Sequence, residues 1–299
     1  MNLPTPPTRN GVGPSTVGLP GGNWLTVIDF FAERFPTVER AVWLQRMRDG
    51  LVLDEQALPV PPDAAYRPHT RLFYYRHLPV EPRIPFEAPI LYQDTHLVVV
   101  DKPHFLPTLP AGRFVQETLL VRLKQTLGLD TLAPLHRLDR ETAGVSLFAI
   151  QPQERAAYHA LFKQRAVHKQ YEAIAPWRGD LPGVSRSQIV PGEPFFRYKE
   201  TAGEPNSETH IAVLERHGDW ARYQLSPVTG RTHQLRVHMA ALGVPIRNDR
   251  FYPDVVDIAD DDYRAPLQLL ARSIAFTDPV TGQARFFESA RNLSANLSA

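Results

Sequence analysis

The stretch that decides the fold is HRLDRETAGVSLFAI, residues 136–150. Its second half, VSLFAI, is a short apolar run and predicts a buried β-strand. Its first half places Asp139 between Arg137 and Arg140, directly before that strand. Because neighbouring cations lower the pKa of a carboxyl group, we expect Asp139 to be ionised. Such a carboxylate is a nucleophile, a base or half of a salt bridge, and taken alone this stretch favours the salt bridge.

A second polar stretch, SPVTGRTHQLRVHMAALGVPIRND, covers residues 226–249. No acidic residue occurs from Trp220 to Asn248, but this part of the chain carries Arg222, Arg231, Arg236 and Arg247. The TGRTH turn followed by apolar positions predicts a loop that leads into a helix, and the N–H groups and arginines at such a junction bind anions. The phosphates of a nucleic acid fit this description. An arginine-rich solvated turn explains the stretch equally well when it is considered alone.

Composition excludes several classes of protein. The chain has 299 residues, 43% of them hydrophobic, a net charge of +1 and no cysteine. A cysteine nucleophile, a disulfide framework and a cysteine-ligated metal are therefore impossible. No apolar run approaches the roughly 18 residues of a membrane helix. Because the N-terminus has Pro and Gly where a signal peptide has an apolar run, we expect a cytoplasmic protein that does not bind membranes.

Hydrophobic periodicity predicts many strands and few helices. The predicted helices are VQETLLVRLKQTLG at 115–128 and PQERAAYHALFKQRAV at 152–167. The predicted strands, besides VSLFAI, are HLVVVDKP (96–103), KQYEAIAPW (169–177), ETHIAVLER (208–216), ARYQLSP (221–227) and LLARSIAF (269–276). This pattern favours an α+β fold with a mixed, mostly antiparallel sheet flanked by helices and loops.

The N-terminal region has a different composition. Residues 1–22 contain five Pro and five Gly, which predicts a disordered tail. Apolar spacing then predicts one helix in WLTVIDFFAERFP (24–36) and a second in TVERAVWLQRMRDG (37–50), with Thr37 as its N-cap. Helix, helix, Gly and strand together resemble the small αL RNA-binding module named after ribosomal protein S-four. We place this α+β module at residues 23–82, where a plain packing module is the alternative interpretation.

Five stretches occur together in the order typical of one enzyme family. HLVVVDKPHFLPT (96–108), HRLDRETAGVSLFA (136–149), FKQRAVHKQYEAI (162–174), TGRTHQLRVHMAALGVPIRND (229–249) and LLARSIAFTDPVTG (269–282) resemble the pseudouridine synthases of the RluA class. The resemblance implies the pseudouridine synthase fold, and we predict this catalytic domain at residues 83–299. The chain departs from the family pattern at four positions, namely Val244, Asn248, Pro253 and Leu270.

The resemblance also implies roles for individual residues. Asp139 matches the essential aspartate, Tyr171 the tyrosine that stacks on the target base, and Arg236 the arginine that pairs with and orients the aspartate. Leu269 matches an apolar wall of the uracil pocket. We add Arg137 as a phosphate clamp or as a plug for the gap that an extruded base leaves. The other predicted RNA contacts are His136, Arg140, Lys169, Thr229, Arg231, His233 and Gln234. For Lys169, as for Lys102, solvation at a strand edge or a surface ion pair explains the residue equally well.

The implied reaction explains why these residue types are needed. Conversion of uridine to pseudouridine breaks an N-glycosidic bond, turns the uracil over and joins it to the same sugar through carbon. Because there is no redox change and no net hydrolysis, we expect no cofactor and no metal. The carboxylate attacks either the base or the sugar, after the uridine has been flipped out of its stack. We expect a monomer that acts on RNA, with ribosomal RNA favoured over transfer RNA.

Two other classes of function remain as alternatives. One is a non-catalytic RNA-binding protein built on a synthase fold. The other is a hydrolase that uses Asp139 and Glu141 as a carboxylate pair. Residues two apart on a strand point to opposite faces, which argues against such a pair.

Overall fold

The structure is a computed structural model, and it describes residues 6–76, 81–112 and 114–293. The chain divides into two compact units, Met1–Glu81 and Pro82–Ala299. No helix within the described ranges is long and apolar enough to cross a membrane.

The first unit combines two helices with a small sheet. Its elements are β1 (Ser15–Gly18), α1 (Val27–Arg34), α2 (Arg40–Arg48), β2 (Val52–Leu53) and β3 (Arg71–Tyr74). The three strands pair antiparallel in the order β1-β3-β2. Thr26 is the N-cap of helix α1 and forms a capping box with Asp29, so two backbone N–H groups at this helix end are satisfied. Phe31 and Trp43 are buried between the helices and the sheet.

Two predictions for this unit are wrong. Residues 15–18 of the predicted disordered tail form β1, and Leu19 is buried in the core of the unit. Composition did not reveal this strand because its hydrogen bonds come from β3, which lies more than fifty residues away along the chain. The N-cap of α2 is Glu39 rather than Thr37, because the N–H of Val38 donates to the carbonyl of Phe35 and closes a turn before the helix. Residues 1–5 of the predicted tail lie outside the described residues.

The second unit is built on one large sheet. Its strands are β4 (Ile90–Gln93), β5 (Leu97–Lys102), β6 (Ala133–Pro134), β7 (Ala143–Ala149), β8 (His168–Pro176), β9 (Val184–Pro191), β10 (Tyr198–Thr201), β11 (Ser207–His217), β12 (Trp220–Pro227), β13 (Leu269–Thr277) and β14 (Ala284–Glu288). Its helices are α3 (Leu119–Leu127), α4 (Arg155–Lys163) and α5 (Gln234–Ala241), and a single 3₁₀ turn (Pro152–Glu154) leads into α4.

The sheet is mixed and mostly antiparallel, so the α+β prediction is confirmed. Its order is β10-β9-β11-β12-β8-β13-β7-β5-β4, with β14 on β13 and β6 on β7. Among these pairings only β7 with β13 is parallel. All the predicted strands and helices of this unit are present. Five strands of this unit, β4, β6, β9, β10 and β14, were not predicted. Two of them, β4 and β6, are short, and polar residues interrupt the apolar pattern of the other three.

The contact between β7 and β13 depends on Gly144. Its φ is +114°, and a Cβ built on it would lie 2.2 Å from the carbonyl oxygen of Ala271. Any larger residue would therefore push the two strands apart. Since Leu270 pairs with Ala143 in parallel register, the starts of β7 and β13 lie at the same end of the sheet.

Candidate active site

A cavity of about 880 Å³ opens at this end of the sheet. Asp139, in the turn before β7, reaches it, and so do Leu269 at the start of β13 and Tyr171 in β8. Antiparallel pairing sets Tyr171 opposite both Leu225 of β12 and Ala271 of β13. The sheet order thus gathers residues that are up to 130 positions apart in sequence.

The carboxylate of Asp139 contacts two side chains of the 226–249 stretch. Its Oδ2 accepts a hydrogen bond from Nη1 of Arg236 at 3.3 Å, and Nε2 of His233 lies 3.7 Å from the same oxygen. The Asp139 side chain is 30% exposed, so it remains open to the cavity. Burial raises the pKa of Asp139, but His233, Arg236 and Lys102 outweigh that effect, and the pKa falls below its usual range. Asp139 is therefore ionised at neutral pH.

Arg236 is held by a second carboxylate that the sequence did not reveal. The guanidinium is buried, and its Nε and Nη2 donate to the two oxygens of Asp249, each at 2.7 Å. The rings of Phe251 and Tyr252 lie 4.9 and 5.4 Å from its central carbon. Burial lowers the pKa of Arg236, but the hydrogen bonds and charge of Asp249 outweigh it and raise the pKa above its usual value. The fork on Asp249 leaves Nη1 free to reach Asp139.

Tyr171 and Leu269 line the cavity beside Asp139. Burial, with the charge of Asp139 as the smaller cause, raises the pKa of the Tyr171 phenol well above its usual value. The phenol is therefore protonated at neutral pH and is able to donate a hydrogen bond.

Two predicted RNA contacts, Thr229 and Gln234, line the cavity and also hold the loop before α5 in shape. Thr229 Oγ1 donates to Gln234 Oε1 at 2.7 Å, and the backbone N–H of Arg231 donates to the same oxygen at 3.0 Å. The Gln234 amide donates to the carbonyl of Glu208 and to the hydroxyl of Thr209. The side chain of Gln234 is buried, so both residues position their neighbours while their side-chain groups are already paired.

Four other predicted RNA contacts line the cavity, and Lys169 and His136 among them also bind backbone groups of the protein. Arg137 and Arg231 line the cavity with exposed side chains, and Lys169 lines it with its amine donating to the Thr229 carbonyl. His136 also lines it, but its Nε2 accepts the N–H of Leu147 and burial lowers its pKa to about 4, so its ring is neutral at pH 7.

Arg140 is another of the predicted RNA contacts. Its side chain is absent from the described cavity lining and instead donates to Glu141 and to the carbonyl of Asp260. Asp139 and Arg140 are neighbours in the turn before β7, but only Asp139 reaches the cavity. The conformation of this turn could not be predicted from the local sequence.

The environment of Lys102 is neither the solvated strand edge nor the surface ion pair that the sequence suggested. It is fully buried, and its amine donates to the carbonyls of Pro103, Leu106 and Arg140. Burial lowers its pKa to about 7, against the opposing charges of Glu141 and Asp139. Lys102 therefore ties the end of β5 to the turn that carries Asp139, and it is neither a surface ion pair nor a solvated strand edge.

Among the described residues that line the cavity, Asp139 is the one acidic side chain. Glu141 is buried and paired with Arg140, so it does not complete a carboxylate pair with Asp139. Within the described ranges, no group of three or more His, Asp or Glu side chains is arranged to hold a metal ion.

Two parts of the cavity differ in exposure. The inner wall consists of Asp139, Tyr171, His233 and Arg236, whose side chains are partly or fully buried. The rim consists of the exposed basic residues Arg137, His159, Lys163, Arg165 and Arg231. Sequence reasoning did not predict His159, Lys163 or Arg165, although their clustering at the end of α4 is a visible signal.

Comparison with known proteins agrees with the motifs. Residues 96–241 match the family model described as RNA pseudouridylate synthase. The chain is 31% identical over 232 residues to an RNA pseudouridine synthase of Synechocystis, covering 76% of this chain and 79% of the relative. It is 34% identical over 219 residues to the dual-specificity RNA pseudouridine synthase RluA of Haemophilus influenzae, covering 71% of this chain and 94% of the relative.

A solved structure is similar as well. Human RNA pseudouridylate synthase domain containing 4 superposes with a TM-score of 0.52 at 27% identity, covering 69% of this chain and 88% of that chain.

Proposed function

We propose a catalytic scheme and a substrate for this chain, which belongs to the RluA class of RNA pseudouridine synthases and is therefore an isomerase that acts on RNA. In this scheme Asp139 is the catalytic carboxylate and Arg236 orients it. The observation that carries the scheme is the contact between Asp139 and the buried Arg236 in a cavity whose other described charges are cationic.

The reaction starts with capture of a flipped uridine. The cations of the rim attract the phosphates on either side of the target nucleotide, and this attraction offsets the few kcal/mol that unstacking a base costs. Arg137 is exposed at the cavity and carries no hydrogen bond to the described residues, so it is available to clamp a phosphate or to fill the gap left in the RNA. Tyr171 and Leu269 supply an aromatic face and an apolar wall for the uracil ring.

The chemical step uses a single carboxylate. Asp139 attacks the sugar or the base, or stabilises the sugar cation, while the bond between C1′ and N1 breaks. The uracil then turns and its C5 bonds to C1′, and any bond formed to Asp139 breaks and returns the free carboxylate. The hydrogen on C5 then leaves as a proton and N1 ends protonated. Arg236 keeps the carboxylate ionised and oriented in a partly dry site. The protonated phenol of Tyr171 is a donor and, later, a route for the C5 proton.

Ribosomal RNA is the first substrate we propose, and transfer RNA is the second. The relatives from Haemophilus influenzae and Escherichia coli are described as dual-specificity RNA pseudouridine synthases, which supports testing both. The αL-like unit at residues 23–82 is proposed as an additional RNA contact in a monomeric, cytoplasmic enzyme.

Tritium release from RNA labelled at uracil C5 tests the chemistry. We expect release that depends on Asp139, and mapping of pseudouridines in cells with and without the gene identifies the RNA. Binding of RNA without tritium release from any cellular RNA would instead support the alternative, a non-catalytic RNA-binding protein on the synthase fold.

A further inference from the structure

We infer that Tyr252 is a positioning residue that holds His233 in the tautomer with its proton on Nε2, so that this N–H faces Oδ2 of Asp139, the oxygen that Arg236 binds, and Oδ1 is left as the reacting oxygen. The inference rests on the proposed role of Asp139 and assigns tasks to two further side chains around it.

The hydroxyl of Tyr252 has two partners. It accepts the backbone N–H of Tyr198 at 2.8 Å, and it lies 2.9 Å from Nδ1 of His233. Tyr252 is buried, and burial raises the pKa of its phenol, so the hydroxyl keeps its proton at neutral pH. A buried hydroxyl proton requires an acceptor. Since Tyr198 supplies a donor, Nδ1 of His233 is the acceptor that the described contacts offer.

An accepting Nδ1 places the proton of the neutral imidazole on Nε2. Burial lowers the pKa of His233 despite the opposing effect of Asp139, so the neutral ring predominates at pH 7. Its Nε2 lies 3.7 Å from Asp139 Oδ2, the oxygen that already accepts from Arg236 at 3.3 Å. Within the described residues, Oδ1 accepts no hydrogen bond and is available to the substrate.

The surroundings also fix the orientation of the imidazole. Phe251 stacks against it with centroids 5.9 Å apart and planes at 30°, and Tyr198 meets it edge-on at 5.9 Å. The backbone of His233 has φ +56°, in the left-handed region at the start of α5. These contacts hold the ring in the plane in which Nδ1 faces Tyr252 and Nε2 faces the cavity.

Nitrogen-15 NMR of the full-length protein with labelled histidine tests the tautomer directly. The signal of His233 is assigned by its loss in His233→Gln. We expect a protonated Nε2 and an unprotonated Nδ1 in the native chain. In Tyr252→Phe we expect a mixture of tautomers and a single-turnover rate lower by roughly fivefold to tenfold, the worth of one hydrogen bond, with unchanged RNA affinity.

The matched control is Tyr198→Phe. It removes a hydroxyl from the same aromatic cluster and keeps both the ring and the backbone N–H, so the tautomer should be unchanged. A protonated Nδ1 in the native chain, or a native tautomer in Tyr252→Phe, would overturn the inference.

A second pair of variants separates the Nε2 proton from the backbone conformation. Gln places an amide N–H near the position of Nε2, whereas Asn reaches only to the position of Nδ1 but tolerates a positive φ better. We expect His233→Gln to retain a severalfold higher single-turnover rate than His233→Asn. The opposite order would mean that the backbone conformation at position 233 matters and the Nε2 donor does not.

The NMR measurement requires no turnover. A failed tautomer prediction therefore leaves the proposed isomerisation intact. A failure of the proposed function is recognised separately, as absent tritium release from a native chain.

Discussion

The inner wall and the rim of the cavity use the same residue type in opposite ways. Arg236 on the inner wall is buried, bound by Asp249 and directed at one carboxylate oxygen. Arg137 and Arg165 on the rim are exposed and face solvent. A buried, fixed charge acts strongly and at short range, whereas exposed charges are screened by salt and act additively. The inner wall should therefore control rate, and the rim should control RNA affinity.

The largest expected effect is that of Asp139→Asn on the inner wall. Asn keeps the shape but is no nucleophile, so we expect the single-turnover rate to fall by at least about a thousandfold. RNA affinity should stay within about twofold of the native value, because Asp139 adds no attraction for phosphates. Tritium release and a filter-binding isotherm measure the two quantities. Appreciable turnover by this variant would remove Asp139 from its role.

A matched pair of Arg-to-Lys changes sharpens the comparison. Arg236→Lys keeps the charge but loses the fork on Asp249, and we expect the saturated rate to fall by about a hundredfold. Arg137→Lys on the rim keeps an exposed cation, and we expect little change in rate. Single-turnover kinetics at saturating RNA compare the two. Equal effects would show that burial does not distinguish the inner wall from the rim.

Removal of rim cations should weaken binding and leave the rate unchanged. In Lys163→Ala combined with Arg165→Ala, we expect the slope of log affinity against log salt to become shallower by about 0.7 for each phosphate that the variant no longer neutralises. The control is Arg83→Ala, which removes an exposed arginine paired with Glu87 and absent from the cavity lining. A changed saturated rate at constant affinity would place these cations in the chemical step.

The smallest effect on the chemical step is expected from deletion of residues 1–81. All residues described as lining the cavity belong to the unit Pro82–Ala299, so the saturated rate should be retained. If the first unit adds phosphate contacts, the apparent KM rises and the salt dependence becomes shallower. Solubility and circular dichroism are checked first, because removal of a unit can expose apolar surface. A collapsed rate in a folded truncation would mean that the first unit shapes the active site.

The sequence motifs predicted the residues of the inner wall better than they predicted which side chains contact one another. HRLDR and TGRTHQLR identified Asp139 and Arg236 as partners 97 residues apart, and the structure joins them by a hydrogen bond. Tyr171 and Leu269 were identified from the same resemblance, and both line the cavity. These residues were predictable because each belongs to a short motif whose residue types and order are specific.

Several residues required the tertiary structure because their environment comes from distant parts of the chain. The buried amine of Lys102 donates to two carbonyls of the adjacent turn, Pro103 and Leu106, and to the carbonyl of Arg140, 38 residues away. Arg140 turns from the cavity because Glu141 and Asp260 bind it.

The sequence by itself determined the class of enzyme and the α+β sheet and predicted Asp139 as the central carboxylate, because these follow from local patterns and motif order. Only the tertiary structure decided which charges are buried, which oxygen of Asp139 is bound, and that Asp249 and Tyr252 support the site. The physical reason is that a buried charge or hydroxyl is costly unless it is paired. Here the partners come from parts of the chain that are distant in sequence.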